Sequence, residues 1–318
     1  MHYEYYKDED GVSRLYCHAD YVYDVKTGYV LSSCSIYHNA DGTRRPGHET
    51  AYEYDEKNRP ISYVCKQYNN GEPDTEEHTY THYGEGGEVI QLVKKEIDHS
   101  WKTEIVTTTD YENEKKVKQT KESRGNDRMS GWELRRFVSV ETYDEEGQVV
   151  TWDYYVYQGD TLDTLDELIR EEHTRNDYVE GNDWFKTEQT KTYEDGKLVS
   201  EVFKTYDEQW LIDYEKTNYQ NGVKLSYTVG DYDSKLRIEL NEEGYNTYYT
   251  GGRPIAYTTT FYDTDGNVTH VEHWEYQYHE NCYTAYVNCK TYDKDGNLLS
   301  QTTKTFDEEG KLLTEETN

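Results

Sequence analysis

The sequence predicts an all-β protein in which tandem antiparallel β-hairpins form an elongated, open and twisted sheet. Three observations predict it. First, a short phrase recurs along the chain: an aromatic residue, an acidic residue, two or three polar residues, a glycine and an aliphatic residue. Second, apolar and polar residues alternate between copies of this phrase, as they do in half-buried strands. Third, the chain has only 4 prolines in 318 residues, so few strands would be interrupted.

The recurring phrase has the chemistry of a tight turn. It is clearest near the C-terminus, where Tyr292-Asp293 leads to Gly296, and its next copy begins 14 residues later at Phe306. An aspartate that bonds its own backbone, followed by a glycine free to take positive φ, is typical of a type I turn with a glycine bulge. A strand of about ten residues plus a short turn accounts for the spacing. The strongest copies begin at Tyr6, Tyr143, Tyr193, Tyr262, Tyr292 and Phe306.

The segments between turns alternate with a period of two. Trp274, Tyr276 and Tyr278 are separated by Glu275 and Gln277, so the aromatic rings would share one face of a strand. Alternation of this kind predicts antiparallel strands with one face packed and one face solvated. The many threonines and tyrosines agree with the preferences of β-strands.

The middle of the chain is less regular. Between Asp160 and Glu172, Leu162, Leu165 and Leu168 fall on one helical stripe, which predicts a short helix inserted in a connection. No Pro- or Ser-rich linker divides the chain. We therefore predict a single elongated repeat domain over residues 1–318, with an irregular insertion at 94–190 that separates an N-terminal and a C-terminal block of repeats.

The composition is acidic and rich in tyrosine. Hydrophobic residues make up only 33% of the chain and the formal net charge is −31, a balance typical of disordered proteins. The 36 tyrosines and 6 tryptophans argue against disorder, because disordered chains are poor in aromatic residues. A folded protein with a thin, tyrosine-rich core is the expectation.

The charge also limits the partners. The chain has 65 acidic and 34 basic residues, and this negative charge repels nucleic acid and anionic membranes. A basic protein is therefore the better match as a partner. No run approaches the length of a membrane span, and the first residues lack the apolar segment of a signal peptide. With five cysteines, at least one thiol is unpaired. We expect a cytoplasmic protein if Met1 is the native start, and a secreted or surface protein if a longer chain precedes it.

No motif in the sequence predicts catalysis, a metal or another cofactor. The Asp-x-Asp-Gly phrases at Asp8, Asp263 and Asp293 invite a calcium reading, but they lack the further ligands of an EF-hand loop, and a structural turn is the simpler explanation. The pair His279-x-x-Cys282 lacks the second pair that a zinc site needs. Nucleophile elbows and phosphate-binding loops are absent from the sequence. We therefore expect a protein that is not an enzyme, with an unrecognised hydrolase as the remaining alternative.

The iterated Tyr-Asp-x-x-Gly-x-aliphatic phrase resembles the YD repeats of RHS-type proteins. Its shorter period is similar to the MORN-variant repeats of some bacterial antitoxin-like and surface proteins. The first resemblance implies sheets that wrap into shells around toxins, and the second implies elongated hairpin arrays. The chain lacks the longer, Arg-Leu-rich RHS unit, so the open array is the better match.

These observations predict a non-catalytic binding or scaffold protein that holds a protein partner on an aromatic and acidic sheet surface. Toxin neutralisation or immunity is one such role. The alternative is a secreted or cell-surface repeat domain that binds glycan or cell wall. Large aromatic residues dominate binding surfaces. The first candidates for exposed binding residues are therefore the six tryptophans: Trp101, Trp132, Trp152, Trp184, Trp210 and Trp274. The oligomeric state and the identity of the partner stay open.

Overall fold

The computed structural model describes residues 1–9, 12–39, 41, 43–69, 71–127, 133–161, 164–180, 184–207, 210–233, 253–279 and 283–318. Within these ranges it contains 21 β-strands and no α-helix. The strands are β1 (His2–Glu9), β2 (Val12–Tyr23), β3 (Val30–His38), β4 (Arg44–Tyr54), β5 (Pro60–Asn69), β6 (Glu72–Tyr83), β7 (Val89–Asp98), β8 (Thr103–Glu112), β9 (Lys115–Asp127), β10 (Glu133–Tyr143), β11 (Val149–Gln158), β12 (Glu167–Tyr178), β13 (Phe185–Glu194), β14 (Lys197–Asp207), β15 (Trp210–Gln220), β16 (Val223–Asp233), β17 (Arg253–Tyr262), β18 (Val268–Tyr278), β19 (Thr284–Asp293), β20 (Leu298–Phe306) and β21 (Leu312–Thr317). None of the described residues belongs to a helix with the length and apolarity needed to cross a lipid bilayer.

The chain divides into two units, one of Met1–Val149 with Tyr154–Leu168 and one of Val150–Asp153 with Ile169–Asn318. In the first, each strand from β1 to β10 pairs antiparallel with the next in sequence. In the second, the same holds from β12 to β21. Extensive contacts within each unit join strands that are neighbours in sequence, so each sheet is one layer thick. The predicted all-β array of antiparallel hairpins is confirmed.

The turn chemistry follows the predicted type I geometry. Asp293 accepts the backbone N–H groups of Asp295 at 2.9 Å and of Asn297 at 2.8 Å on Oδ1. The N–H of Gly296 donates to the Asp293 carbonyl, and Gly296 has φ +85°. The strand register also slips by one residue between Thr291 and Tyr292, a separate bulge in which Leu299 of β20 is the extra residue. The same carboxylate contacts recur at Asp55, Asp144, Asp263 and Asp307.

Among the copies whose loop residues are all described, those of Tyr193 and Tyr219 end in a different turn. Their loops have only two residues, and both residues have positive φ, which is the type I′ geometry rather than the predicted type I turn. A third loop of this kind joins β8 to β9. The three loops are Asn113-Glu114, Asp195-Gly196 and Asn221-Gly222.

The tyrosine that precedes a turn ties one hairpin to its neighbour. At Tyr54 and Tyr83, which begin copies of the phrase, and at Tyr278, which also precedes a turn, the hydroxyl donates a hydrogen bond to the backbone carbonyl of the residue 23 or 24 positions earlier. The aromatic ring of the phrase therefore fixes the spacing between consecutive hairpins. The pairs are Tyr54 with Val30 at 3.1 Å, Tyr83 with Pro60 at 3.1 Å, and Tyr278 with Pro254 at 2.7 Å.

Small polar side chains, rather than aromatic rings, occupy the most buried positions of the strands. Among the described residues, Val156 and Leu165 are the only buried apolar side chains. Several of the buried polar residues bond across strands, for example Ser35 to His48 at 2.7 Å and Ser226 to Asn218 at 2.8 Å. The polar seam of the first unit comprises Ser35, Ser62 and Thr109, and the polar seam of the second unit comprises Thr174, Thr192, Ser226 and Asn288.

The helix predicted between Asp160 and Glu172 is wrong in the described part of that segment. The N–H of Thr164 bonds the carbonyl of Thr161 in a single turn, and β12 begins at Glu167. Leu165 is buried, with 4% exposure. The leucine spacing that suggested a helix is therefore divided between a turn and a strand, because strand pairing continues through this segment.

Candidate binding surface on the second unit

Three aromatic rings and one glycine form a row across four adjacent strands of the second unit on one face. The register pairs Tyr214 with Gly230, Gly230 with Tyr257, and Tyr257 with Trp274. Side chains of directly paired residues lie on the same face of a sheet. The rings of Tyr257 and Trp274 are close to parallel, at 22°, with centroids 5.6 Å apart.

A second row of rings adjoins the first. The hydroxyl of Tyr276 donates to the hydroxyl of Tyr257 at 3.3 Å. The ring of Tyr276 lies 6.5 Å from that of Tyr278 at an interplanar angle of 13°. Tyr232 packs edge-on against Tyr214 with centroids 6.3 Å apart. We call Tyr214, Tyr232, Tyr257, Trp274, Tyr276 and Tyr278 the aromatic patch.

Gly230 lets these rings approach each other. A Cβ atom at this position would lie 3.3 Å from the ring of Tyr232 and 3.3 Å from the Cβ of Tyr257. That distance is tighter than ordinary van der Waals contact, so a side chain here would push the rings apart. The glycine in the centre of β16 is thus explained by packing within the patch.

The rings of the patch are half-buried. Burial raises the pKa of Tyr214, Tyr232 and Tyr257, and raises the pKa of Tyr278 to about 12. A protonated hydroxyl both donates and accepts hydrogen bonds at neutral pH. The patch therefore offers ring faces for stacking together with neutral hydroxyls.

Charged groups border the patch. The indole Nε1 of Trp274 donates to a carboxylate oxygen of Glu272 at 3.2 Å. The guanidinium of Arg253 lies 5.5 Å from the centre of the Tyr278 ring. Burial raises the pKa of the Cys289 thiol, which pairs with Trp274 in the register, so this sulfur is protonated at neutral pH. The chemistry of this surface is stacking and hydrogen bonding.

Of the predicted tryptophans, Trp274 lies in the aromatic patch. Trp101 is 48% exposed in the loop between β7 and β8. Trp152 on β11 and Trp184 before β13 are half-buried. Trp132 and the side chain of Trp210 lie outside the described residues. The five tyrosines of the patch were not among the predicted candidates. The sequence signals for part of the patch are the alternation of Trp274, Tyr276 and Tyr278 along β18 and the glycine within β16.

The first unit has an open cleft of about 840 Å³ beside the segment that follows β11. The guanidinium of Arg135 donates to Gln158 at 2.9 Å, and the amide of Gln158 donates to Glu167 at 2.8 Å. Gly159 fits closely, because its Cβ would lie 2.0 Å from the Thr164 carbonyl oxygen. These polar groups beside the cleft are therefore hydrogen-bonded to one another.

The residues considered for metal binding have structural contacts. Asp263 and Asp293 use their carboxylates to accept turn N–H groups. His279 lies 3.0 Å from the Phe306 carbonyl through Nε2, while Cys282 and the side chain of Asp8 lie outside the described residues. In the part of the chain that the structure describes, no three His, Cys, Asp or Glu side chains converge to hold a metal ion.

Comparisons with known proteins give distant structural similarities. No family model and no curated protein matches the sequence. The crystal structure of TcdB2-TccC3 aligns with 97% of this chain at 13% identity and a TM-score of 0.17. The structure of a mutant Tc holotoxin pore from Photorhabdus luminescens aligns with 99% at 13% identity and a TM-score of 0.17. The present chain spans 21% of the length of each of these two chains.

A third similar structure is a porin-like protein from Bacteroides uniformis. It aligns with 90% of this chain, and with 88% of its own length, at 10% identity and a TM-score of 0.21. At these identities and TM-scores, the comparisons assign neither a family nor a function.

Proposed function

We propose that this chain is a non-catalytic binding protein that holds a protein partner on the aromatic patch. The observation that carries the proposal is the grouping of six half-buried rings on one face of a single-layer sheet. Tyrosine and tryptophan supply much of the energy of protein interfaces because they bury large areas with few rotatable bonds. The net charge of −31 favours a partner with a basic surface.

Affinity capture from the native cell, with matched variants on β18, tests this proposal. Tyr276→Ala removes a ring of the patch, whereas Gln277→Ala changes an exposed residue on the opposite face of the same strand. Loss of a central interface aromatic costs about 2 kcal/mol or more, which is about 30-fold in affinity. We expect the first variant to lose a stoichiometric partner and the second to retain it. Equal capture by both variants would exclude the patch, and the absence of any stoichiometric partner would count against the proposal.

Glycan binding is the second candidate, and the near-parallel rings favour it specifically. Tyr276 with Tyr278, and Tyr257 with Trp274, present ring faces at small interplanar angles. The electron-rich face of an aromatic ring attracts the polarised C–H groups of a sugar ring. A glycan array separates the two candidates: hits that Tyr276→Ala abolishes would favour the glycan, and an array without hits would leave the protein partner.

The repeat family and the cellular role of the chain are further parts of this proposal. The Tyr-Asp turn phrase supports a relationship to YD/RHS-like or MORN-variant repeats. A role in toxin neutralisation or immunity in a bacterial cytoplasm agrees with an acidic surface. A basic toxin reading frame beside the native gene would support this role, and an export signal ahead of the repeats would support a secreted or surface protein.

A further inference from the structure

Three histidines lie on one face of the first three strands of the first unit. The register pairs Glu4 on β1 with His18 on β2, and His2 on β1 with Asp20 on β2. His38 is the last residue of β3. The rings of His2 and His18 lie 5.3 Å apart, and those of His18 and His38 lie 5.1 Å apart. The imidazoles therefore form a continuous row across three strands.

One contact in this row depends on protonation. The Nδ1 atom of His18 lies 2.8 Å from the Nε2 atom of His38. An N–H···N hydrogen bond needs one protonated and one bare nitrogen. One proton between the rings satisfies the contact. When both nitrogens carry protons, two positively charged donors face each other and the rings must separate.

His2 lies within hydrogen-bond distance of two carboxylates, those of Asp20 and Glu4. Its Nδ1 lies 2.6 Å from Asp20 and its Nε2 lies 3.2 Å from Glu4. Hydrogen bonds to Asp20 and then Glu4 raise the pKa of His2. His2 therefore stays charged to a higher pH than an ordinary histidine. Asp20 also faces His18, whose Nε2 lies 3.8 Å from its carboxylate.

The surroundings of His38 disfavour a charge. Burial lowers the pKa of His38, and the neighbouring His18 and Arg44 lower it further, while the more distant Glu4 acts in the opposite direction. Arg44 begins β4 and pairs directly with His38. Pairing between β2 and β3 begins with Cys17 and Tyr37, so His38 lies just beyond the last pair of those strands.

We propose that the His18–His38 contact is a pH-sensitive latch that holds the hairpin of β3 and β4 against β2 and opens on acidification between about pH 7 and pH 5. The second proton binds His38 at Nε2 and breaks the bond to His18. Opening begins at this end of β3 because, among the described residues, the pairing of β2 with β3 ends at Cys17 and Tyr37, directly before His38.

His38 and His2 affect the pH dependence of stability in opposite directions. A histidine whose pKa is lowered in the folded state stabilises it above the usual value of 6.5, and this contribution is lost as the pH falls. His38 therefore weakens the hairpin in acid. The raised pKa of His2 has the opposite effect: its contribution is complete below 6.5 and is lost as the pH rises through its folded value.

Hydrogen exchange of the β3 and β4 amides at about pH 7.5 and about pH 5, corrected for intrinsic exchange, tests the latch. In the wild-type chain we expect acid to speed opening by about tenfold for each unit by which the pKa of His38 is lowered. In His38→Gln, a carboxamide oxygen that does not titrate accepts the His18 N–H, and we expect the acid response to disappear. His82→Gln on β6 serves as the control and should respond like the wild type.

Equal wild-type exchange at both pH values would overturn the latch, and so would an acid response that persists in His38→Gln. Because that variant could weaken the hairpin at neutral pH, a second measurement is made on the wild-type chain. An NMR titration of the His38 ring should give a pKa below its usual value. A pKa at or above that value would overturn the proposal.

Discussion

Replacing Glu114 with glycine should stabilise the hairpin of β8 and β9. Glu112 pairs with Lys115, so the loop consists of Asn113 at φ +50° and Glu114 at φ +66°. The two other loops of this type in the described part of the chain have glycine at the second position. A left-handed backbone costs a non-glycine residue about 1–2 kcal/mol, while glycine loses about 0.5–1 kcal/mol more entropy on folding. The expected net gain for Glu114→Gly is about 0.5–1 kcal/mol.

The reverse change provides a matched comparison. Gly222 has φ +78° at the equivalent position of its loop, and a Cβ there would meet no atom within 4 Å. Gly222→Ala should therefore lose about 0.5–1 kcal/mol through the backbone alone. Glu114→Gln removes the negative charge and keeps the strained φ, which separates turn strain from charge repulsion in a chain of net charge −31.

Stability should be measured locally, by hydrogen exchange of the β8 and β9 amides, and globally, by urea unfolding. The local readout is needed because repeat arrays open in parts rather than in one step. Exchange that is unchanged or faster in Glu114→Gly would refute the reasoning. An equal gain in Glu114→Gln would assign the effect to charge, and unchanged stability in Gly222→Ala would show that positive φ costs nothing in these loops.

Three further predictions concern single contacts. Tyr83→Phe removes the hydrogen bond to the Pro60 carbonyl and should cost about 1 kcal/mol, seen as faster exchange in β6; unchanged exchange would contradict the role of the hydroxyl between hairpins. Gly159→Ala would place a Cβ 2.0 Å from the Thr164 carbonyl oxygen and should cost about 1–3 kcal/mol in urea unfolding; full stability would contradict the close packing of this segment. Burial raises the pKa of Glu122, but hydrogen bonds from Arg124 and Arg136 more than reverse this and leave the pKa below its usual value of 4.5. The carboxylate therefore stabilises the fold above pH 4.5, and this contribution is lost as the pH falls. Glu122→Gln should flatten the loss of stability in acid.

Local turn chemistry made the fold predictable from the sequence. The Asp-x-x-Gly phrase determines a turn by itself, because its aspartate and glycine satisfy the geometry within five residues, as at Asp293 and Gly296. The loops after Tyr193 and Tyr219 have the type I′ form because their phrases are shorter. Asp-Gly and Asn-Gly fill the two loop positions there, and these dipeptides favour a two-residue turn.

The helix prediction failed because leucine spacing is a weak signal in a short segment. Leu165 is buried in a turn, and pairing of the following residues in β12 extends the array. Tertiary pairing therefore overrides the local preference for helix. The expected tyrosine core failed for a related reason. Alternation predicts one packed face, but a single-layer sheet buries neither face fully, and small polar residues occupy the interior positions.

The candidate site was partly visible in the sequence. The alternation of Trp274, Tyr276 and Tyr278 along β18 indicates a shared face, and the structure places them together. Tyr214 and Tyr257 could not be assigned to the same surface, because that requires the register of β15 to β18. Gly230 connects them, and a glycine inside a strand is a sign of close approach that a single sequence leaves without a partner.

The folding of the second unit depends on its polar seam more than on the rings of the aromatic patch. Ser226 bonds Asn218 across β15 and β16, and Asn288 donates to Glu275 at 2.9 Å and accepts from Gln301 at 2.9 Å across β18, β19 and β20. Turn carboxylates and strand pairing add to these contacts. Rings that are only half-buried contribute less of their area to stability than a closed core would. A surface ring such as Tyr276 can therefore be removed with little loss of fold, so failure of that variant to retain a partner would report on binding.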